Sequence, residues 1–317
     1  MRKYVLAGCD GNLGSVAASH ALSLLGPEDE LVLTSHRPGW VNDDLMAEAN
    51  AKGAKLFLLN YDDPVHLVRV FAGAEAVAFI STWEIGKGRR RQHKNVIDAA
   101  KAAGVRRIVY TSFVGADLGD GGEDMPFLSR DHAFTEALIR ESGLEYNIQR
   151  NYLQMDKIPQ LYVKSWGFAG DRWLSNDADE KAAFVAKDDC GRVLGALLMG
   201  KGEPNTVYTV TGPEAVTNRE IFEWMANQSG YKGTFENLSD EALEKWWKAK
   251  GLPYDVTGDF SKTPCKVCML DLLCRGQIVA GGHMKKTTDA VERLTGRKPA
   301  GFREYLLRYK DSFPKSE

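Results

Sequence analysis

Seven residues near the N-terminus, Gly8-Cys9-Asp10-Gly11-Asn12-Leu13-Gly14, constrain this chain more than any other stretch. The apolar run Lys3-Tyr4-Val5-Leu6-Ala7 before them is of strand type, and residues 15–25 after them read as a helix. A strand that meets a helix through G-x-x-G-x-x-G uses glycine for three reasons. One lets the chain turn tightly, one lets backbone N–H groups approach a pyrophosphate, and one lets the helix pack close to the sheet. Anionic phosphates then rest on the positive end of the helix dipole. The spacing differs from the older G-x-G-x-x-G fingerprint. It predicts a dinucleotide held by Gly8, Gly11, Asn12, Leu13 and Gly14.

The rest of the first half repeats the strand–helix rhythm. Strand candidates are residues 4–7, 30–34, 55–59, 76–80, 107–111 and 146–150. Helical stretches at 15–25, 43–52, 64–71, 91–103 and 131–142 lie between them. Gly53, Gly73, Gly104 and Gly143 follow helices as stop residues. This alternation predicts an α/β fold, a Rossmann-type doubly wound parallel sheet. After Asn151 the rhythm breaks, with a further strand at 206–211 and helices at 217–229, 239–250, 287–294 and 301–309. Thr217 with Glu220 three residues on has capping-box spacing. The organisation expected is a cofactor-binding part over residues 1–152 with a returning segment near 181–230. A smaller, mostly helical substrate domain would take 153–180 and 231–317. The run 119–123 (GDGGE) reads as a flexible loop at a strand's carboxyl end.

Composition excludes several classes. A formal net charge of −2 gives no bias toward nucleic acid or an anionic membrane. No apolar run approaches the ~20 residues that span a bilayer. With a strand and its glycine loop at the start of the sequence, no signal peptide is expected, and the five cysteines fit reduced thiols in a cytoplasm. Cys265-x-x-Cys268 with Cys274 lacks a clear fourth ligand and sits among leucines, so a buried helix is expected there and no metal. The partner expected is a small molecule, with the chain a monomer or homodimer.

The end of the second strand selects the ribose. It reads Leu33-Thr34-Ser35-His36-Arg37-Pro38, with no carboxylate to accept from a 2′-hydroxyl. Arg37 offers a charged planar fork suited to a 2′-phosphate, so NADP is expected in preference to NAD. In Asn60-Tyr61-Asp62, Asp62 is placed to accept from the adenine amino group, or to cap the next helix beside Pro64.

These segments share one pattern with Gln92-His93-Lys94-Asn95, Gly104-Val105-Arg106-Arg107, His132-Ala133-Phe134-Thr135-Glu136, Arg150-Asn151-Tyr152, Tyr208-Thr209-Val210-Thr211-Gly212 and Leu294-Thr295-Gly296-Arg297. The chain resembles the NmrA-like branch of the atypical short-chain dehydrogenases, with its quinone oxidoreductase type 2 and isoflavone reductase-like members. The resemblance covers nearly the whole chain. It departs from ordinary short-chain dehydrogenases in lacking their Tyr-x-x-x-Lys pair. Counting back from Gly143, His132 also stands where the isoflavone type carries Lys.

The resemblance implies that Ser81, Thr82, Ser112 and Asn151 help to hold cofactor, and that Ser112 and Phe113 lie beneath the nicotinamide. An imidazole has a reference pKa of about 6.5, which makes His132 the leading acid/base candidate. Asp131 before it is a candidate helix cap, Ser112 a hydrogen-bond donor to substrate, and Tyr152 a proton donor or stacking platform. Trp83, Phe113, Tyr152, Trp166, Trp173 and His283 are substrate candidates, and the aromatics among them suit an aromatic or quinone-like compound. Gly88-Arg89-Arg90-Arg91 reads as a solvated helix entry. The function expected is an NADP-dependent oxidoreductase. A non-catalytic cofactor-binding sensor and a cofactor-holding isomerase or lyase remain as alternatives.

Overall fold

The computed structural model describes residues 1–119, 125–264 and 266–315. Residues 120–123 of the GDGGE run and Cys265 lie outside them. The described strands are β1 (Lys3–Ala7), β2 (Glu30–Ser35), β3 (Lys55–Leu58), β4 (Ala74–Phe79), β5 (Arg107–Phe113), β6 (Glu145–Asn151), β7 (Arg172–Ser175), β8 (Thr206–Val210) and β9 (Thr234–Asn237). In the first half the helices are α1 (Asn12–Leu24), α2 (Asp43–Ala51), α3 (Pro64–Phe71), α4 (Gly86–Ala102) and α5 (Phe127–Glu141). Beyond them come α6 (Val163–Phe168), α7 (Lys187–Leu198), α8 (Asn218–Ser229), α9 (Asp240–Ala249), α10 (Met269–Ala280), α11 (Ala290–Thr295) and α12 (Phe302–Leu307).

Seven strands form one parallel sheet in the order β3-β2-β1-β4-β5-β6-β8. The order reverses between β1 and β4, and the glycine loop leaves β1 at that point. Both faces are covered, as a parallel sheet requires. Tyr4, Leu6, Leu31 and Leu33 point into a core shared with α1 and α7. Val5, Ala7, Val77, Phe79 and Ile108 point into a second core under α3, α4 and α5. Such strands are apolar at successive positions because neither face meets water.

The predicted stops hold, since Gly53, Gly73, Gly104 and Gly143 all have positive φ. Thr217 and Glu220 make both bonds of the capping box. Four corrections bear on the site. Helix α5 begins at Phe127, so His132 sits in its second turn and Asp131 does not cap it. Instead Asp131 accepts from the Gly86 N–H at 2.6 Å and from Arg90 Nε at 2.8 Å, which ties the start of α4 to α5. Helix α4 begins at Gly86, so the basic run lies inside it and Arg89 is buried rather than solvated. Finally, the second half holds a parallel β7–β9 pair, and α7 lies between the predicted elements. No helix among the described residues is long and apolar enough to cross a membrane.

Candidate cofactor cleft and active site

Two cavities meet along the carboxyl ends of the sheet. The first, of about 490 Å³, runs over β1, β2 and β3 and is lined by Gly8, Asp10, Gly11, His36, Arg37 and Asp62, among others. The second, of about 460 Å³, runs over β4, β5 and β6 and is lined by Gly11 to Gly14, Ser81, Ser112, Phe113, His132, Asn151 and Tyr152, among others. Gly11, Ile80, Ser81 and Trp83 belong to both.

The glycine loop is built as the spacing predicts. Gly8 has φ +103, a conformation that L side chains rarely adopt. A Cβ on Gly14 would lie 1.9 Å from the Gly8 carbonyl oxygen, so α1 can approach the turn only without a side chain there. Gly11 precedes α1 with ordinary extended backbone, and no side chain caps the helix. The first N–H groups of α1 are therefore open to an anion. The buried Thr82 Oγ1 has no hydrogen-bond partner among the described residues, so this wall offers a polar atom as well. These features fit a bound dinucleotide.

On the ribose side, Arg37 is exposed and its guanidinium lies 4.4 Å from the centre of the Trp40 ring. The Ser35 hydroxyl accepts the Arg37 N–H at 2.8 Å and shapes the turn. Asp62 receives Arg91 Nε at 3.1 Å and Gln92 Nε2 at 2.8 Å. The carboxylate that caps α3 is Asp63, which accepts from the His66 N–H. Asp62 stays on the cleft wall, its pKa lowered by the Gln92 and Arg91 hydrogen bonds against a smaller effect of burial.

His132 faces the second cavity, but not as an ordinary histidine. Burial first, then the nearby Arg89 and His93, drive its pKa well below the usual value. Its ring is thus neutral at physiological pH, and an imidazolium acid is not available. A hydrogen-bond chain leads to its Nδ1. The Thr82 N–H donates to His93 Nε2 at 3.2 Å, so His93 carries its proton on Nδ1. That proton goes to Thr135 Oγ1 at 2.8 Å, and Thr135 donates onward to the Asp131 carbonyl at 3.0 Å. His93 therefore cannot accept from Tyr110, whose hydroxyl lies 2.7 Å from His132 Nδ1. With Tyr110 as the donor in that contact, the His132 proton stands on Nε2; His132 itself lines the cavity.

The other candidates are corrected by where their protons go. The Ser112 hydroxyl donates to Glu136 Oε1 at 2.6 Å, so toward the cavity it can only accept. Glu136 is clamped in turn by Arg150 at 2.8 and 2.6 Å and by Arg140 at 2.7 Å. Burial raises its pKa, but Arg150, Ser112 and Arg140 outweigh that and hold it below the usual carboxylate range. The Tyr152 hydroxyl donates to the His283 carbonyl at 3.0 Å, and burial followed by Asp117 raises its pKa. It is no proton donor to this cavity. Asn151 lines the cavity while its side chain accepts from Gln149 at 2.7 Å.

Aromatic placements divide as well. Phe113 lies 5.7 Å from the His132 ring, centre to centre, and Trp83 is 74% exposed at the mouth of both cavities. Trp166 is 1% exposed and stacks on Trp173 in the interior, so it cannot touch substrate. Trp173 walls a smaller cavity beyond the second. His283 lines a different cavity with Asp117, Arg150 and Lys286. Cys268 precedes α10, and Cys274 is buried within it. The site also holds Gln154, Lys157, Lys187 and Arg275, which sequence reasoning missed. They lie in the aperiodic second half, where no motif marked them.

A profile for NAD(P)H-binding proteins matches residues 29–161, which span β2 to β6 of this cleft. The chain is 29% identical over 251 residues to quinone oxidoreductase 2 of Escherichia coli, covering 78% of this chain and 82% of that one. Over residues 29–161 the chain matches the NAD(P)H-binding family, and its relatives include oxidoreductases of NmrA-like type. An NmrA-like family domain-containing oxidoreductase of Aspergillus flavus is 25% identical over 243 residues, covering 75% of each chain. The fold matches that of an NADPH-dependent quinone oxidoreductase from Escherichia coli solved with NADPH. The TM-score is 0.76 at 24% identity, covering 96% of this chain and 98% of that one.

Proposed function

We propose that this protein is an NmrA-like, NADPH-dependent oxidoreductase that reduces a small aromatic or quinone-like acceptor. One observation carries the reading. The cavity that begins at the glycine loop continues, without a wall between, to His132 beside Phe113. Residues 1–152 with the segment near 181–230 form the cofactor-binding part, and 153–180 with 231–317 form the substrate-binding part. Bound NADPH supplies a hydride. Arg37 holds a 2′-phosphate, which favours NADP over NAD. Gly11 to Gly14 present backbone N–H groups to the pyrophosphate, and Ser81, Thr82 and Asn151 line its further course. Phe113 and Trp83 give the acceptor apolar faces to lie against.

His132 works as a fixed donor in this reading. Its Nε2–H stabilises the oxygen that gains negative charge when the acceptor takes a hydride, and Tyr110 holds the tautomer. A quinone, a hydride and one proton from water give the hydroquinone, so electrons and protons balance without an imidazolium. The sensor alternative draws on the Ser112 and Tyr152 hydroxyls, which both donate away from the cavity. NADPH oxidation with 1,4-naphthoquinone separates the two. Replacing His132 by Ala is expected to lower kcat by about tenfold to a hundredfold, the worth of one hydrogen bond to developing charge. Full turnover in the variant, with cofactor still bound, removes His132 from the chemistry. No turnover in the wild type with any acceptor favours the sensor.

A further inference from the structure

We propose that the substrate carries an anionic group, a carboxylate or sulfonate on its aromatic core, and that Arg275 of α10 is the residue that binds it. The inference rests on the reductase reading of the same cavity and names the substrate class. Among the described residues, the cavity that reaches His132 has three cations in its wall, Lys157, Lys187 and Arg275, and no carboxylate. All three are half-buried, and none forms an ion pair among the described residues. A half-buried cation without a counter-charge has lost hydration that a ligand anion restores.

Two carboxylates lie near these cations, and neither forms an ion pair with them among the described residues. Asp271 stands one turn before Arg275 on α10, but its Oδ2 accepts from the Tyr162 hydroxyl at 2.8 Å. The Arg275 guanidinium lies 4.4 Å from the centre of the Tyr162 ring, so one aromatic residue both satisfies Asp271 and seats the arginine. Asp156 is fully buried; its Oδ1 takes the backbone N–H of Lys187 at 3.2 Å, and its Oδ2 has no hydrogen-bond partner among the described residues. The planar fork of Arg275 is thereby left for a carboxylate or sulfonate.

Position separates Arg275 from the cofactor. Lys187 opens α7, and one turn later Gly191 packs against Leu13 and Val16 of α1, so Lys187 lies on the pyrophosphate side. Arg275 instead stands at the junction with the smaller inner cavity, whose lining comes from residues 153 to 276 alone. Nothing of the glycine loop or of β1 to β6 reaches that space. A ligand with its reducible ring beside His132 and its anion on Arg275 would lie along the cavity shared by both.

Calorimetric binding to the NADP⁺-loaded protein tests this without any reduction. The probes are 2-naphthoate and its uncharged isostere 2-naphthamide. The wild type is expected to prefer naphthoate by about tenfold to a hundredfold, the worth of one charge-assisted hydrogen bond. Arg275→Gln should erase the preference and Arg275→Lys should keep part of it, with NADP⁺ affinity preserved in both. Equal binding of the probes, no naphthoate binding, or a preference that survives Arg275→Gln overturns the proposal. So does a parallel loss of NADP⁺ affinity, which would assign Arg275 to the cofactor or to the fold. An absence of turnover with every acceptor would sink the reductase reading and leave this binding result standing.

Discussion

The two buried histidines beneath the cavity make stability fall in mild acid, and His93 allows the size of the effect to be worked out. Burial first, then Arg89, pushes its pKa down to about 3. In the unfolded chain the ring titrates near 6.5. The folded value is depressed, so the unfolded state binds the extra proton in between. Stability from this group is complete above about pH 6.5 and is lost as pH falls toward about 3. From about pH 7 to about pH 5, one such ring costs about 2 kcal/mol. His132 adds a loss of the same sign over the same range, because burial is the first cause there too. His93→Gln keeps an acceptor for the Thr82 N–H and loses the ring Nδ1 that bonds Thr135. That loss costs about 1 kcal/mol at every pH and leaves the slope alone. The variant should therefore lose about 2 kcal/mol less than the wild type over this range. Urea unfolding followed by tryptophan fluorescence and far-ultraviolet circular dichroism measures both proteins, and coincident transitions license the comparison. Equal losses would refute the reasoning, since His93 would then titrate alike in the two states.

Two further outcomes follow from the cofactor cleft. Gly14→Ala places a Cβ 1.9 Å from the Gly8 carbonyl oxygen and 3.0 Å from Ile80 Cδ1, which must push α1 off the turn. Overpacking of this kind costs about 1–3 kcal/mol, and NADPH affinity by fluorescence titration should drop by a comparable factor; wild-type affinity would remove the glycine loop from phosphate binding. Arg37→Gln should weaken NADPH by about tenfold to a hundredfold and leave NADH little changed. Equal losses for the two cofactors in calorimetry would place Arg37 elsewhere than at the 2′-phosphate.

The fold was legible because its causes are local. Apolar strands buried on both faces, glycines at helix ends and a three-glycine turn each leave a mark within a few residues. The seven-stranded sheet follows from their alternation. The β7–β9 pair was not legible, because each strand is only four residues long. Its stability comes from the aromatic cluster of Trp166, Trp173, Phe222 and Phe235, which is assembled from distant parts of the chain. Trp166 looked like a substrate contact for the same reason, since a tryptophan in an aperiodic stretch carries no sign of which way it faces.

At the site, the sequence supplies residue types and the surroundings decide their chemistry. Ser112 reads as a donor until Glu136 is seen to take its proton, and Glu136 lies 24 residues away. His132 reads as an acid near neutrality until burial beside Arg89 and His93 forbids the charge. Arg275 shows the same dependence in the opposite direction. Asp271 four residues before it on one helix is a spacing at which opposite charges ordinarily pair. The Tyr162 hydroxyl, more than a hundred residues away in sequence, takes that carboxylate and releases the guanidinium to the cavity. The Ser112 and Arg275 assignments therefore each turn on one long-range hydrogen bond. A substitution that moves that bond, such as Tyr162→Phe, should change the role of a residue it leaves in place. Freed from Tyr162, Asp271 becomes available to Arg275, and the preference for 2-naphthoate should shrink although every cation remains. An undiminished preference in Tyr162→Phe would show that the guanidinium is held open by something other than the tyrosine hydroxyl.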